Sequence, residues 1–220
     1  NIFLKKNIPI GAGLAGGSSN AAATLIGLNM LWNLDLDNNH LLKLSAKLGS
    51  DVPFFINGGS QLCYGRGEIL EKINYKYEYG VLLLKNPNVS ISTAETYKRY
   101  SVQYLKQGDI TTNHIDNIRN NLRKKSLENF MINDKSINIK NDLQLIVEND
   151  NDSVKQALYL LSNLKNVLTY SMSGSGPTCF ALFKDFDTAN NVLDDNYKLF
   201  KNNGFESWAC KTLDKGIKII

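Results

Sequence analysis

The chain has 220 residues, 43% of them hydrophobic and 21% charged, with 25 Lys and Arg set against 21 Asp and Glu for a net charge of +4. That is enough for one large or two small globular domains with a sizeable core. The interspersed charge gives no reason to expect nucleic acid or a membrane surface as a partner, and no apolar run approaches the ~18 residues that a membrane helix needs.

In chain order, the short apolar run Ile2-Phe3-Leu4 reads as a strand over residues 2–5, and Pro9 as a turn. A glycine-rich stretch follows, Gly11-Ala12-Gly13-Leu14-Ala15-Gly16-Gly17-Ser18-Ser19, and then an alanine-rich helix over residues 19–33. Glycines admit positive φ and a close backbone approach. Ser18 or Ser19 is expected to cap the helix, whose first turn offers unpaired N–H groups and a partial positive charge. Those features suit an anion, usually phosphate. The helix is apolar round most of its circumference and is expected to be central.

Several phosphate loops compete at this point. Gly11-x-Gly13-x-x-Gly16 matches the dinucleotide fingerprint literally, but a second helix follows where that fingerprint needs a strand ending in an acidic residue. A P-loop needs Gly-Lys-Ser/Thr, and no lysine occurs between Asn7 and Leu42. The protein-kinase signatures His-Arg-Asp and Asp-Phe-Gly are absent from the sequence. A plain packing turn explains the glycines but not the paired serines.

The second helix is capped by Asp37 or Asn38 and ended by Gly49. Next stands Gly49-Ser50-Asp51-Val52-Pro53-Phe54-Phe55, where Asp51 reads as a helix cap with Pro53 in the first turn. Gln61–Tyr64 and Glu68–Glu71 read as a hairpin around Gly65-Arg66-Gly67, with Arg66 either a solvated turn residue or a phosphate contact. Tyr79–Leu84 is a buried strand, and Ser92 and Thr93 open a helix that carries Tyr97. Residues 101–140 are polar, and the basic run at 119 and 123–125 reads as a solvated face. Asn141-Asp142-Leu143 begins a helix with a structural role, and residues 153–164 form another. Two strands flank Ser173-Gly174-Ser175-Gly176-Pro177-Thr178, which by itself is a hairpin loop. A helix over 185–201 and a strand over 208–213 close the chain. Cys63, Cys179 and Cys210 are expected to be buried reduced thiols, which suits a cytoplasmic or plastid-stromal protein. His40 and His114 read as isolated surface residues.

The three motifs, in this order, resemble those of the GHMP kinases (galactose, homoserine, mevalonate and phosphomevalonate kinases). The resemblance spans nearly the whole chain. It implies an α+β fold of two lobes. The first is a ribosomal protein S5 domain 2-like, ATP-binding lobe over residues 1–78, incomplete here; the second is a ferredoxin-like lobe over residues 79–220. It also implies ATP and Mg²⁺ as cofactors, with Pro9, Ile10, Gly11, Ala12, Gly13, Leu14, Ala15, Gly16, Gly17, Ser18 and Ser19 around the nucleotide. Ser19, or Ser18, would touch the metal. Gly-x-Asp-Val-Pro-Phe-Phe carries the family's catalytic base, here Asp51, able to serve as cap and base together.

The details are most similar to the branch of the family that phosphorylates the tertiary 2-hydroxyl of a cytidylated methylerythritol. By that resemblance Thr93 lies at the base edge, Tyr97 stacks on the cytosine, and Gly174, Ser175 and Gly176 border substrate and phosphate. The expected partner is therefore this small molecule, with the protein a monomer or homodimer. A homoserine- or mevalonate-type kinase and a non-catalytic nucleotide-binding homologue remain alternatives. The family pairs its aspartate with an N-terminal lysine that Lys5 and Lys6 do not match. An N-terminal segment is therefore expected to precede Asn1, and these 220 residues alone are expected to bind nucleotide weakly and not to turn over.

Overall fold

The computed structural model describes residues 1–73, 78–104, 120 and 139–218. The chain divides into two compact units, Asn1–Leu14 with Glu78–Thr212, and Ala15–Tyr77 with Leu213–Ile220. Three helices and a hairpin lie in the second unit: α1 Gly16–Leu31, α2 Asn38–Leu48, α3 Val52–Asn57, β1 Gln61–Tyr64 and β2 Ile69–Lys72. The first unit holds β3 Gly80–Lys85, α4 Thr93–Tyr104, α5 Gln144–Asp150, α6 Asp152–Ser162, β4 Thr169–Met172, β5 Cys179–Phe183, α7 Phe186–Asn202 and β6 Glu206–Lys211.

In the first unit the strands form one sheet in the order β4-β5-β3-β6, antiparallel throughout. With helices between β3 and β4 and between β5 and β6, this is the ferredoxin-like arrangement expected from the sequence. Period-two alternation puts Leu82 and Leu84 of β3 and Cys179, Ala181 and Phe183 of β5 on one buried face. Against it, α6 presents Val154, Ala157, Leu158 and Leu161, one helical stripe. From α7 come Ala189, Val192 and Phe200. Both helices start on side-chain caps. Asn151 accepts from Val154 N at 3.1 Å, and Asp185 accepts from Thr188 N at 2.7 Å. Gly80 is required by closeness: a Cβ there would stand 2.0 Å from the carbonyl oxygen of Asp185.

Residues 2–5 do not form a strand. Ile2, Phe3 and Leu4 are exposed, and the described residues offer them no ladder partner, without which an apolar run stays unpaired backbone.

In the second unit α1 and α2 both pack on α3. The segment that ends the chain passes close to the end of α3, since a Cβ on Gly58 would meet Gly216 N at 1.9 Å and one on Gly216 would meet Phe55 O at 2.2 Å. The expectation of a central first helix is not met. Ala22 is the one buried residue of α1, while Met30, Leu31 and the following Trp32 are exposed. Its apolar residues run round the axis, and the neighbours in the described residues cover only part of that circumference.

The cysteine expectation is half corrected. All three thiols are free, and Cys179 is buried, but Cys63 and Cys210 are exposed. Cys63 belongs to a two-stranded hairpin and Cys210 to the edge strand β6, positions with less cover than β5. His40 is exposed as expected, its N–H and ring both on the Asp37 carboxylate that caps α2. His114 and the basic run at 119 and 123–125 lie outside the described residues.

Burial, with the charge of Glu148 adding to it, pushes the Cys179 thiol up to about 12. A thiol reagent applied to native protein at pH 8 should therefore label two of the three cysteines. The third should react only after unfolding, as mass spectrometry of the labelled chain would show. The side-chain and backbone hydrogen bonds of Thr188 hold the Asp185 carboxyl below its usual 3.8. Its stabilisation is thus present above that value and lost as pH falls through the lower folded value. Asp185→Ala should lower the melting temperature by a steady margin from pH 7 to pH 5, and the margin should shrink below pH 3.8.

Candidate functional site: two glycine turns and a helix N-terminus

The glycine stretch needs left-handed backbone at three places, Gly11 (φ 64°), Gly13 (φ 69°) and Ala15 (φ 48°). Glycine adopts this freely. For an alanine it costs on the order of 1–3 kcal/mol, and such strain is held in place only by its surroundings.

Helix α1 begins earlier than the serines suggest. Ala15 occupies the cap position and supplies no side-chain hydrogen bond, so neither Ser18 nor Ser19 is the cap. The first intrahelical bond runs from Ser19 N to Ala15 O, 3.0 Å. This leaves the N–H groups of residues 15–18 outside the helical ladder, at the positive end of a sixteen-residue helix. The Ser18 and Ser19 hydroxyls lie in that first turn, beside the donors rather than capping them.

The preceding part of the stretch belongs to the other unit, where it meets the third motif. Ser173 Oγ donates to Gly13 O at 2.9 Å, and Thr178 N donates to Ala12 O at 3.3 Å. A Cβ on Gly13 would stand 2.6 Å from the carbonyl oxygens of both Ser173 and Gly176. A Cβ on Gly11 would stand 2.8 Å from Ser90 Oγ. Ser90 ends a loop whose carbonyls at Asn86 and Val89 accept from the buried ammonium of Lys85, at 3.1 and 3.3 Å.

The third motif also takes in Thr93. Ser92 is the residue that caps α4, accepting from Glu95 N at 3.3 Å. Thr93 is left to exchange a 2.7 Å hydrogen bond with Ser175 Oγ. Tyr97, one turn further on and 58% exposed, lines a cavity of about 480 Å³ together with Gly174, Ser173, Asn141 and Lys140. The structure thus gathers Gly11–Gly13, Thr93, Tyr97 and Gly174–Gly176 within one unit. Gly16–Ser19 and Asp51 belong to the other.

Asp51 stands at the cap position of α3 in helical backbone and makes no capping bond, so it is not cap and base together. Among the described residues no hydrogen bond or ion pair engages its exposed carboxylate. Its neighbours are in the β1–β2 hairpin. A Cβ on Gly67 would lie 3.7 Å from Asp51 Oδ1, and the Asp51 charge adds to partial burial in pushing the Cys63 thiol up. Arg66 serves the hairpin turn: its N–H donates to Glu68 Oε2 at 2.7 Å, and its exposed guanidinium lies 3.9 Å from the same carboxylate.

Four residues at the site were not named as site residues from the sequence: Ser173, Asn141, Gln144 and Lys85. Ser173 carried a signal as the first residue of the third motif and Asn141 as the first of an Asn-Asp-Leu segment, whereas Gln144 and Lys85 carried none. Among the described residues no group of three or more His, Cys, Asp or Glu side chains could hold a metal ion. A divalent cation here would rest on hydroxyl oxygens and on the ligand's own phosphates, a donor set that suits Mg²⁺.

Residues 1–59 match the GHMP kinases N terminal domain and residues 114–202 the GHMP kinases C terminal domain. The whole chain is 66% identical to the 4-diphosphocytidyl-2-C-methyl-D-erythritol kinase of Prochlorococcus marinus strain MIT 9312, covering 71% of that protein. The chain belongs to the GHMP kinases. A relative of the same name from strain NATL1A is 44% identical, again over the whole chain and 69% of the relative. Among solved structures, a 4-(cytidine 5'-diphospho)-2C-methyl-D-erythritol kinase superposes with a TM-score of 0.67 at 26% identity, over 94% of this chain and 68% of that one. The homoserine kinase of Cytophaga hutchinsonii gives 0.66 at 18% identity, over 96% and 69%. The two-lobe α+β fold of GHMP kinases is therefore that of this chain, and with the family comes ATP as phosphate donor.

The glycines differ in what they allow. Gly13→Ala adds a methyl against two backbone oxygens at positive φ, whereas a Cβ on Gly17 meets nothing within 4 Å. Gly13→Ala should lower the melting temperature clearly and Gly17→Ala should not, as differential scanning calorimetry would record.

Proposed function

We propose that the protein is an ATP-dependent kinase that phosphorylates the 2-hydroxyl of 4-diphosphocytidyl-2-C-methyl-D-erythritol. The observation that carries this choice of acceptor is the 66% identity to a kinase of that name, sustained over all 220 residues. Likeness of fold alone would not choose, because a homoserine kinase superposes almost as well.

In this reading the nucleotide phosphates lie against residues 9–19. The free N–H groups at the start of α1 and the left-handed turns at Gly11 and Gly13 supply donors without side-chain bulk. The Ser19 hydroxyl would help to hold Mg²⁺, and the ion, when bound, would neutralise charge on the transferring group. Asp51 accepts the proton of the acceptor hydroxyl as its oxygen attacks the γ-phosphorus. A carboxylate free of hydrogen bonds among the described residues is available for that task. Tyr97 offers an exposed ring for the cytosine, at a cavity bordered by the third motif, and aromatic stacking on a base contributes about 1–3 kcal/mol in single-stranded nucleic-acid complexes. Thr93 and Ser175, bonded to each other, fix the start of α4 beside that cavity.

Asp51→Asn, made in the enzyme expressed from its complete reading frame, should lower kcat by about 10²–10⁴-fold, the range for loss of a general base. Nucleotide affinity should be retained. Turnover is measured by coupled ADP release on a panel of cytidylated methylerythritol, homoserine and mevalonate. Undiminished phosphorylation by the variant would remove Asp51 from its role, and turnover of homoserine or mevalonate in place of the cytidylated acceptor would replace the acceptor.

A further inference from the structure

Asn141 stands three residues before α5 and looks, in the sequence, like part of a helix start. Its side chain does something else. The Nδ2 group donates to Met172 O and to Gly174 O, both at 2.8 Å. Oδ1 accepts from Leu143 N at 3.0 Å. Two donors on one atom and an acceptor on the other is the inventory of a primary amide, and the two carbonyls on one side with an N–H on the other fix which way it points. Gln144, from the same segment, accepts from Ser171 Oγ at 2.9 Å and from Met172 N at 3.0 Å. One short stretch of chain therefore holds the end of β4 and the turn after it.

That turn is tightly closed on itself. Gly176 N donates to Ser173 O at 2.9 Å, and Ser173 N to Thr178 O at 2.8 Å, while Gly174 and Gly176 take positive φ. On its far side the turn meets Gly13 through the Ser173 hydroxyl, and a Cβ on Gly174 would stand 3.3 Å from Gly13 O. A continuous set of direct contacts thus leads from Asn141 through Met172–Gly174 to Gly13.

We infer that Asn141 is a positioning residue for nucleotide binding. Its amide sets the shape of the Ser173–Gly176 turn, and the turn holds Gly13 in the form that receives phosphate. This rests on reading the 9–19 stretch as the nucleotide loop. Asn141 touches no reacting atom. It acts through the turn, so its loss should weaken nucleotide binding rather than slow the chemical step alone.

The informative variant is Asn141→Asp. It keeps the size and the Oδ1 acceptor but turns a charged oxygen toward two carbonyls, abolishing both donated bonds. When protonated it can return one of them. In the enzyme from its complete reading frame, Asn141→Asp and Asn141→Ala should each raise the dissociation constant for a fluorescent ATP analogue and the KM for ATP by about tenfold, the scale of coupling between neighbouring groups. The affinity of Asn141→Asp relative to the unaltered enzyme should recover as pH is lowered from 8 to 5.5, and that of Asn141→Ala should not. Ser173→Ala should weaken binding similarly, and the double variant Asn141→Ala/Ser173→Ala should fall short of the sum of the two.

Folded Asn141→Ala and Asn141→Asp variants with lowered melting temperature but unchanged nucleotide affinity would overturn the inference, leaving Asn141 a purely structural residue. Full additivity with Ser173→Ala would overturn the route through the turn. If Asn141→Ala fails to fold, the pH recovery of Asn141→Asp and the effect of Ser173→Ala decide the matter by the same criteria. The acceptor is judged separately. An unaltered enzyme that binds nucleotide in an Asn141-dependent way but leaves the cytidylated acceptor untouched sinks the proposed function and spares this inference. An unaltered enzyme that binds no nucleotide sinks both.

Discussion

In the first unit two glycine turns far apart in sequence meet backbone against backbone. Ser173 reaches Gly13 across 160 residues of chain, and at Gly13 the space that a Cβ would need is taken by two carbonyl oxygens. Everything around this meeting is arranged to keep it. Asn141 and Gln144 hold the strand end from one side, Thr93 holds Ser175, and Lys85 gathers the loop that brings Ser90 to Gly11. The glycines are therefore not interchangeable with one another. Some are demanded by φ and by contact, and Gly17 by neither.

The same stretch changes character at Ala15. Up to that point its backbone is fixed by contacts with distant residues. Beyond it, the helix supplies its own order, and what it offers is a set of N–H groups with no intrahelical acceptor. A left-handed alanine at the junction is a local expense. It turns the chain out of the glycine loop and directly into α1, so that neither serine is the cap. The second unit contributes the one carboxylate proposed for chemistry, Asp51, which stands before α3 without serving as its cap.

Much of the fold was legible because its causes are local. The cap Asp37, the four-residue stripe of α6, and the apolar runs of β3 and β5 are set by neighbours within one or two turns or by strand alternation. The ferredoxin-like order followed from the succession of those elements. The misreadings have a common origin in partners that lie elsewhere. Residues 2–5 have strand composition, but a strand exists only with a ladder to join. The first helix has a core composition, yet exposure depends on what covers it, and Met30 and Leu31 stay exposed. Cys63 and Cys210 sit in strands like Cys179 but on less covered positions.

The sequence by itself determined the motifs, their order and the chemical types available: glycines that admit positive φ, hydroxyls, one isolated aspartate, an aromatic at the start of a helix. These suffice for the family, since residue identity carries them directly. Tertiary structure alone decided which of those residues meet. It put Ser173 and Gly176 on Gly13, released Thr93 from capping to bond Ser175, moved the helix start back to Gly16, and gave Asn141 two carbonyls more than thirty positions away. The physical reason is that a hydrogen-bonding side chain advertises its capacity but not its partner. An amide near a helix start has local acceptors and donors within reach, and only the folded chain determines that the Asn141 amide group turns to β4 and its turn instead.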